Sequence, residues 1–206
     1  MVGEVRIYIE GGGDGPDTKQ PLREGFSQFL SPLRDLARRR RLDWNPIICG
    51  GRQAAFDAFK TALKSHPNAL NVLLVDAEAP VTRTPWQHLE EGDGWQSPGA
   101  SDDQCHLMVQ AMEAWLIADV DALKRYYGQK FNANPIPKIH DVETVPKDTL
   151  SSALKDATRQ TQKGEYHKIR HGPAILARLD VTKVRKRAQH CDRLFTKLGQ
   201  LMTENT

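Results

Sequence analysis

Two short acidic clusters are the residues in this sequence best suited to do chemistry. The first is Glu10 and Asp14 in the run Glu10-Gly11-Gly12-Gly13-Asp14-Gly15, and the second is Asp76 and Glu78 in Asp76-Ala77-Glu78-Ala79-Pro80. Carboxylate oxygens are hard ligands, and this type of donor suits Mg²⁺ or Mn²⁺. The glycine run also admits two other readings. One is a phosphate cradle, although the G-x-G-x-x-G spacing is incomplete and carboxylates repel phosphate unless a cation intervenes. The other is an ordinary turn with solvated acids. Four uncompensated carboxylates close together would repel strongly, and a divalent ion is the usual remedy.

The elements that must bring these acids together can be read from periodicity. Val5, Ile7 and Ile9 alternate with Arg6 and Tyr8, as in a strand, and that strand ends at Glu10 where four glycines stop regular structure. Leu70 to Val75 is a near-continuous apolar run, as in a strand buried on both faces, and it ends at Asp76. Between them, Pro21 to Arg41 has helical spacing, with Pro32 marking a kink or a second helix starting near Ser31. Trp44 to Cys49 reads as a short strand and Arg52 to Lys64 as a helix. This alternation predicts an α/β fold with a parallel, Rossmann-like sheet flanked by helices. Such sheets bind ligands beyond the carboxyl ends of their strands, so both clusters should open at one sheet edge. In an extended segment Asp76 and Glu78 point to the same side.

These motifs resemble those of Toprim domains. Glu10-Gly11-Gly12-Gly13-Asp14 is similar to the E-G-x-x-D turn after their first strand, and Asp76-Ala77-Glu78 resembles their D-x-D with glutamate in place of the second aspartate. Toprim domains occur in topoisomerases, primases, small ribonucleases and nucleases of the overcoming-lysogenization-defect class. The Toprim likeness covers roughly the first 120 residues. The chain as a whole, including Met112-Glu113-Ala114-Trp115-Leu116-Ile117-Ala118-Asp119, resembles a bacterial Toprim-like family often associated with ATPases in defence loci. The resemblance implies a Mg²⁺- or Mn²⁺-dependent nuclease acting on DNA or RNA, with an ATPase partner. Asp76 and Glu78 would hold the metal, and Glu10 would bind it or act as general acid/base. Asp14 would order the turn or complete a second ion's shell. A non-catalytic subunit of an ATPase and a small-molecule phosphohydrolase or phosphotransferase are the alternatives.

The remaining sequence divides at Tyr127, with residues 1–127 as the Toprim-like core and 128–206 as a helical extension packed on the same domain. Residues 82–103 read as a loop anchored by Trp86 and Trp95. Gln104 to Tyr127 reads as one long helix, with His106, Gln110 and Glu113 on a polar stripe. Glu113 lies between Val109 and Ile117 in its row, so it needs a partner, which makes it a supporting acid of the site. His106 and His171 are read as supporting residues. Lys147 to Thr158 is predicted to be a helix. Another is expected to start at Pro173, just after the basic run that contains Lys168, a candidate phosphate contact. His167 and His171 are four apart but lack a third zinc ligand at convincing spacing. The last helix is predicted over Thr182 to Met202, with Val184, Ala188, Cys191, Phe195, Leu198 and Met202 as its core face.

Composition narrows the functional classes. The net charge of +3 permits a nucleic-acid partner without requiring one. Three scattered cysteines disfavour a disulfide framework and fit a reducing cytoplasm. No apolar run reaches the length of a membrane span, so no membrane partner is expected.

Overall fold

The computed structural model describes residues 2–13 and 15–204. Its centre is a four-stranded parallel sheet in the order β2-β1-β3-β4, formed by β1 (Glu4–Glu10), β2 (Asp43–Gly50), β3 (Ala69–Asp76) and β4 (Cys105–Met108). The chain leaves β1 in one direction, to β2, and later crosses to the other side through β3. The β1/β3 junction is therefore the topological switch point, where α/β sheets form their ligand crevice. Register pairs Ile7 with Val72 and Ile9 with Leu74, which brings Glu10 and Asp76 to the same edge.

Helices cover both faces. On one face Val5, Ile7, Ile9, Leu70, Val72 and Leu74 pack against α1 (Pro16–Phe29), α2 (Ser31–Arg39) and much of the chain after β4. On the other, Tyr8, Leu73 and Val75 pack against α3 (Arg52–Ser65) and α4 (Pro85–Asp93). Alternation along β1 and β3 thus sorts the side chains into two cores. Pro32 falls at the start of α2, so the proline separates two helices rather than kinking one.

Several expectations need correction. The long helix over 104–127 does not form: a 3₁₀ turn leads into β4, followed by α5 (Glu113–Ala118) and α6 (Val120–Tyr127). Residues 105–119 are all buried, so their apolar residues show no one-sided period. The segment 82–103 is not all loop, because α4 starts at Pro85 and Gln87 Oε1 accepts from the Thr84 amide at 3.3 Å. Trp86 and Trp95 anchor this region, with Trp95 stacked on Phe56 at 4.3 Å between centroids. The predicted last helix is two, α9 (Val181–Arg187) and α10 (Gln189–Glu204), broken at Ala188, yet its predicted core face is buried throughout.

The region after Tyr127 also contains α7 (Lys147–Thr158), as predicted, and α8 (Lys168–Leu176). Pro173 lies inside α8 rather than at its start, so Lys168 occupies the first turn of that helix. The helix docks tightly on α1: a Cβ at Gly25 would sit 2.7 Å from the Pro173 carbonyl oxygen. Gly25→Ala should therefore cost about 1–3 kcal/mol by overpacking, because backbone cannot yield as a side-chain tip can. Urea unfolding of the variant would measure this. Among the described residues, no helix is long and apolar enough to cross a membrane.

Candidate functional site

The acids meet at the switch point. One oxygen each from Glu10, Asp76 and Glu78 lies within 4.8 Å of the others. Glu10 is held across the strand ends, its Oε2 accepting from the Asp76 amide at 3.1 Å. Asp76 is almost fully buried, and its Oδ1 accepts from the Met112 amide at 2.8 Å. Glu78 follows β3 in a left-handed conformation (φ 66°), with its amide bonded to the Gln110 carbonyl at 2.8 Å. Asp14 lies outside the described residues. The glycine turn is pinned to β2 by reciprocal Gly11–Gly50 hydrogen bonds of 2.7 and 3.1 Å. Gly11, Gly12 and Gly13 all have positive φ, a conformation that glycine adopts at little cost.

The expectation of uncompensated carboxylates is not met, because three cations from distant segments surround them. Arg52, at the start of α3, reaches Glu10 Oε2 at 3.1 Å and the Asp76 carbonyl, grips Asp93 with two bonds of 2.7 and 2.6 Å, and lies over the Trp95 ring. Lys168 donates to Asp76 Oδ2 at 2.8 Å, and Lys147 pairs with Glu78. Glu113 is buried, with Oε1 accepting from the Tyr166 hydroxyl at 3.1 Å. Its Oε2 lies 3.3 Å from Lys168 Nζ without hydrogen-bond alignment and has no other partner among the described residues. Burial and then Asp76 raise the Glu10 pKa, while Arg52 pulls it down. Burial works against a charged Lys168, but Asp76 and Glu113 outweigh it and hold the ammonium well above its ordinary value. Burial and the Glu113 charge keep Tyr166 protonated.

When all are ionised, the five carboxylates Glu10, Asp76, Glu78, Asp93 and Glu113 face the three cations Arg52, Lys147 and Lys168. Two negative charges remain, the deficit that one divalent ion would fill. The donor set is all oxygen, and beside it the buried Glu113 Oε2 is met by Lys168 at 3.3 Å without an aligned hydrogen bond. These residues fit Mg²⁺ or Mn²⁺.

A cavity of about 190 Å³ opens on the same groups. Glu10, Asp76, Lys168 and the Gly11–Gly13 backbone form its polar lining with Thr18, and Leu22, Met108, Met112, Ile169 and Pro173 form its apolar wall. α1 and α8 enclose it from two sides.

A family model described as a domain of unknown function, DUF4276, matches residues 9–199. The chain belongs to the DUF4276 family. The match spans every candidate residue of the site and nearly all of both cores. It supplies no link to Toprim domains or to defence loci. Searches of curated proteins and of solved structures returned no match.

The two histidines do not reach the carboxylates of this DUF4276 chain. His106 is in β4 rather than on a helix, and its ring contacts the Asp103 carbonyl and Arg193. It anchors α10 to the sheet instead of supporting the acids. Burial and then the Arg193 charge lower its pKa to about 3, from an ordinary 6.5. The stability contributed by a neutral His106 is therefore complete above pH 6.5 and is lost as pH falls toward 3. By pH 4.5 the loss should be about 2–3 kcal/mol. Urea unfolding at pH 7 and 4.5 should show that component in wild type and not in His106→Gln. His171 lies one step behind the site, with Nδ1 against the Tyr127 hydroxyl at 3.1 Å, and no metal-ligand group among the described residues includes it or His167.

Sequence reasoning missed Arg52, Asp93, Tyr166 and Lys147. Arg52 and Lys147 each left a local signal, a cation opening a helix at the N-terminus where the dipole disfavours it.

Proposed function

We propose that the chain is a divalent-ion-dependent phosphodiesterase acting on nucleic acid, with Glu10, Asp76 and Glu78 as ligands for Mg²⁺ or Mn²⁺. The observation that carries this reading is the convergence of those three carboxylates within 4.8 Å, beside a lysine and at the mouth of a cavity. A bound ion would polarise a phosphate oxygen and ease deprotonation of a water. Lys168 Nζ, suspended between Asp76 and Glu113, is placed to offset charge developing on phosphate oxygens. If Asp76 and Glu78 alone hold the ion, Glu10 is free to act as general acid or base instead, with burial beside Asp76 raising its proton affinity. Arg52 fixes Glu10, and Tyr166 fixes Glu113. DNA or RNA as substrate and an ATPase partner in bacterial defence rest on the motif resemblance alone.

One observation favours a non-catalytic partner subunit. Each of Glu10, Asp76 and Glu78 already has a cation, so the site is electrostatically tolerable without an ion. Calorimetry with Mn²⁺ and cleavage of labelled DNA and RNA separate the two readings. Lys168 competes with an ion for Asp76 Oδ2, so Lys168→Ala should bind Mn²⁺ several-fold more tightly, by roughly 1 kcal/mol, yet turn over more slowly. A folded wild type that binds no ion and cuts neither substrate would reject the phosphodiesterase reading.

A further inference from the structure

Assuming that phosphodiester chemistry takes place at this site, the cavity constrains the substrate further. We propose that it seats one unpaired nucleotide at a time, with the phosphate toward Asp76 and Lys168 and the sugar and base against the apolar wall. Stacked duplex is excluded.

Three observations support this. First, Asp76 is 3% exposed and lines the cavity, so a phosphate approaches it from inside. A duplex carries its phosphates on a convex surface with the bases stacked behind them. It cannot follow a phosphate into a recess flanked by α1 and α8 unless a nucleotide leaves the stack. Second, the cavity of about 190 Å³ can enclose a phosphate with part of its sugar or base while the remainder lies at the open lip, and its wall is apolar. Met108 and Met112 contribute flexible, polarisable thioethers that pack on rings of any identity. Third, among the described residues the lining contains no Asn, Gln, Arg or His side chain to read a base edge, and its Thr18 hydroxyl donates to the Gly15 carbonyl at 2.8 Å. The site should therefore tolerate every base. Ile169 is one of two large hydrophobics that remain exposed among the described residues, and it borders this cavity. An isolated exposed apolar residue is ordinary, but one on a cavity lip can cover part of a ligand.

The nucleotide can be free or part of a strand, and titration calorimetry distinguishes these sources. The probes are adenosine and thymidine 5′-monophosphates, inorganic phosphate, a 5′-phosphorylated linear oligothymidylate, a circular single strand and a blunt duplex, each with Ca²⁺ in place of Mn²⁺. The two mononucleotides should bind within about threefold of each other and about tenfold more tightly than inorganic phosphate. Ile169→Ser removes the apolar cover at an exposed rim position without adding charge, where folding is not at risk. It should reduce nucleotide affinity to the phosphate level while Mn²⁺ affinity stays within about twofold. Tighter binding of the linear oligomer or of the circular strand than of duplex supports the assignment, the first naming a strand end and the second an internal unpaired nucleotide. Mononucleotides that bind no better than phosphate, an indifferent Ile169→Ser variant, or a duplex bound as tightly as single strands would each overturn it. Mn²⁺ binding with internal duplex cleavage and no nucleotide affinity removes the cavity assignment alone. Nucleotide affinity with no affinity for any divalent ion removes the metal reading and leaves the cavity assignment standing.

Discussion

Arg52→Ala is expected to be the most destabilising single change at the site, costing about 3 kcal/mol. The guanidinium forms two bonds to Asp93, one to Glu10 and one to the Asp76 carbonyl, and it packs over Trp95. Removing it leaves two largely buried carboxylates without a counter-charge, a loss worth about 3–5 kcal/mol when the groups are fully desolvated. The lower figure applies because 17% of the Arg52 side chain still reaches water. Arg52→Lys should rescue little, since an ammonium cannot reproduce the planar double contact with Asp93. Urea unfolding of both variants measures the cost. A loss below about 1 kcal/mol for the alanine variant would place this cluster with ordinary surface pairs.

Asp76→Asn should have the largest effect on ion binding and a small effect on folding. The amide oxygen can still accept from the Met112 amide, which keeps the strand end in place. The charge facing Lys168 is lost, but Lys168 keeps Glu113 at 3.3 Å and is partly solvated. Mn²⁺ affinity should fall by more than the ~10–100-fold typical of removing an outer-shell partner, because a ligand charge is deleted. Calorimetry gives the affinity and circular dichroism melting the fold. Unchanged Mn²⁺ affinity in a folded Asp76→Asn protein would remove Asp76 from the ligand set.

The two strands that end in Glu10 and Asp76 were legible because each carries a local pattern, alternation in one and an apolar run in the other. The helix over Lys147 to Thr158 was legible too, whereas Pro32 marked a break without deciding between a kink and two helices. β4 was not, because Cys105 to Met108 is buried on every side and continues into an equally buried segment. Without a solvent face, neither period shows. Thr84-Pro85-Trp86-Gln87 did carry a helix-start signal, a capping pair with proline at the first position, obscured by the glycines and prolines after it. The acids of the site were readable as types in clusters. Lys168 was readable as a basic site residue, but the pairings of the cations were not, because Lys147 lies 69 residues from Glu78 and Lys168 lies 92 from Asp76. Pairings over such distances are made by the fold rather than by spacing. The charge balance therefore became visible only with coordinates.

The 92-residue gap between Asp76 and Lys168 also imposes a timetable. At translation rates of about 5–20 residues per second, roughly 5–20 s separate the emergence of the aspartate from that of its lysine. For most of that interval the growing polypeptide has its acidic triad but neither Lys147 nor Lys168, and α8 does not yet exist to wall the recess. The ribosome thus releases the ligand-holding half well before the half that completes the pocket. Competence can arise only when the last third of the chain has been made and has docked on α1 through the glycine–proline contact.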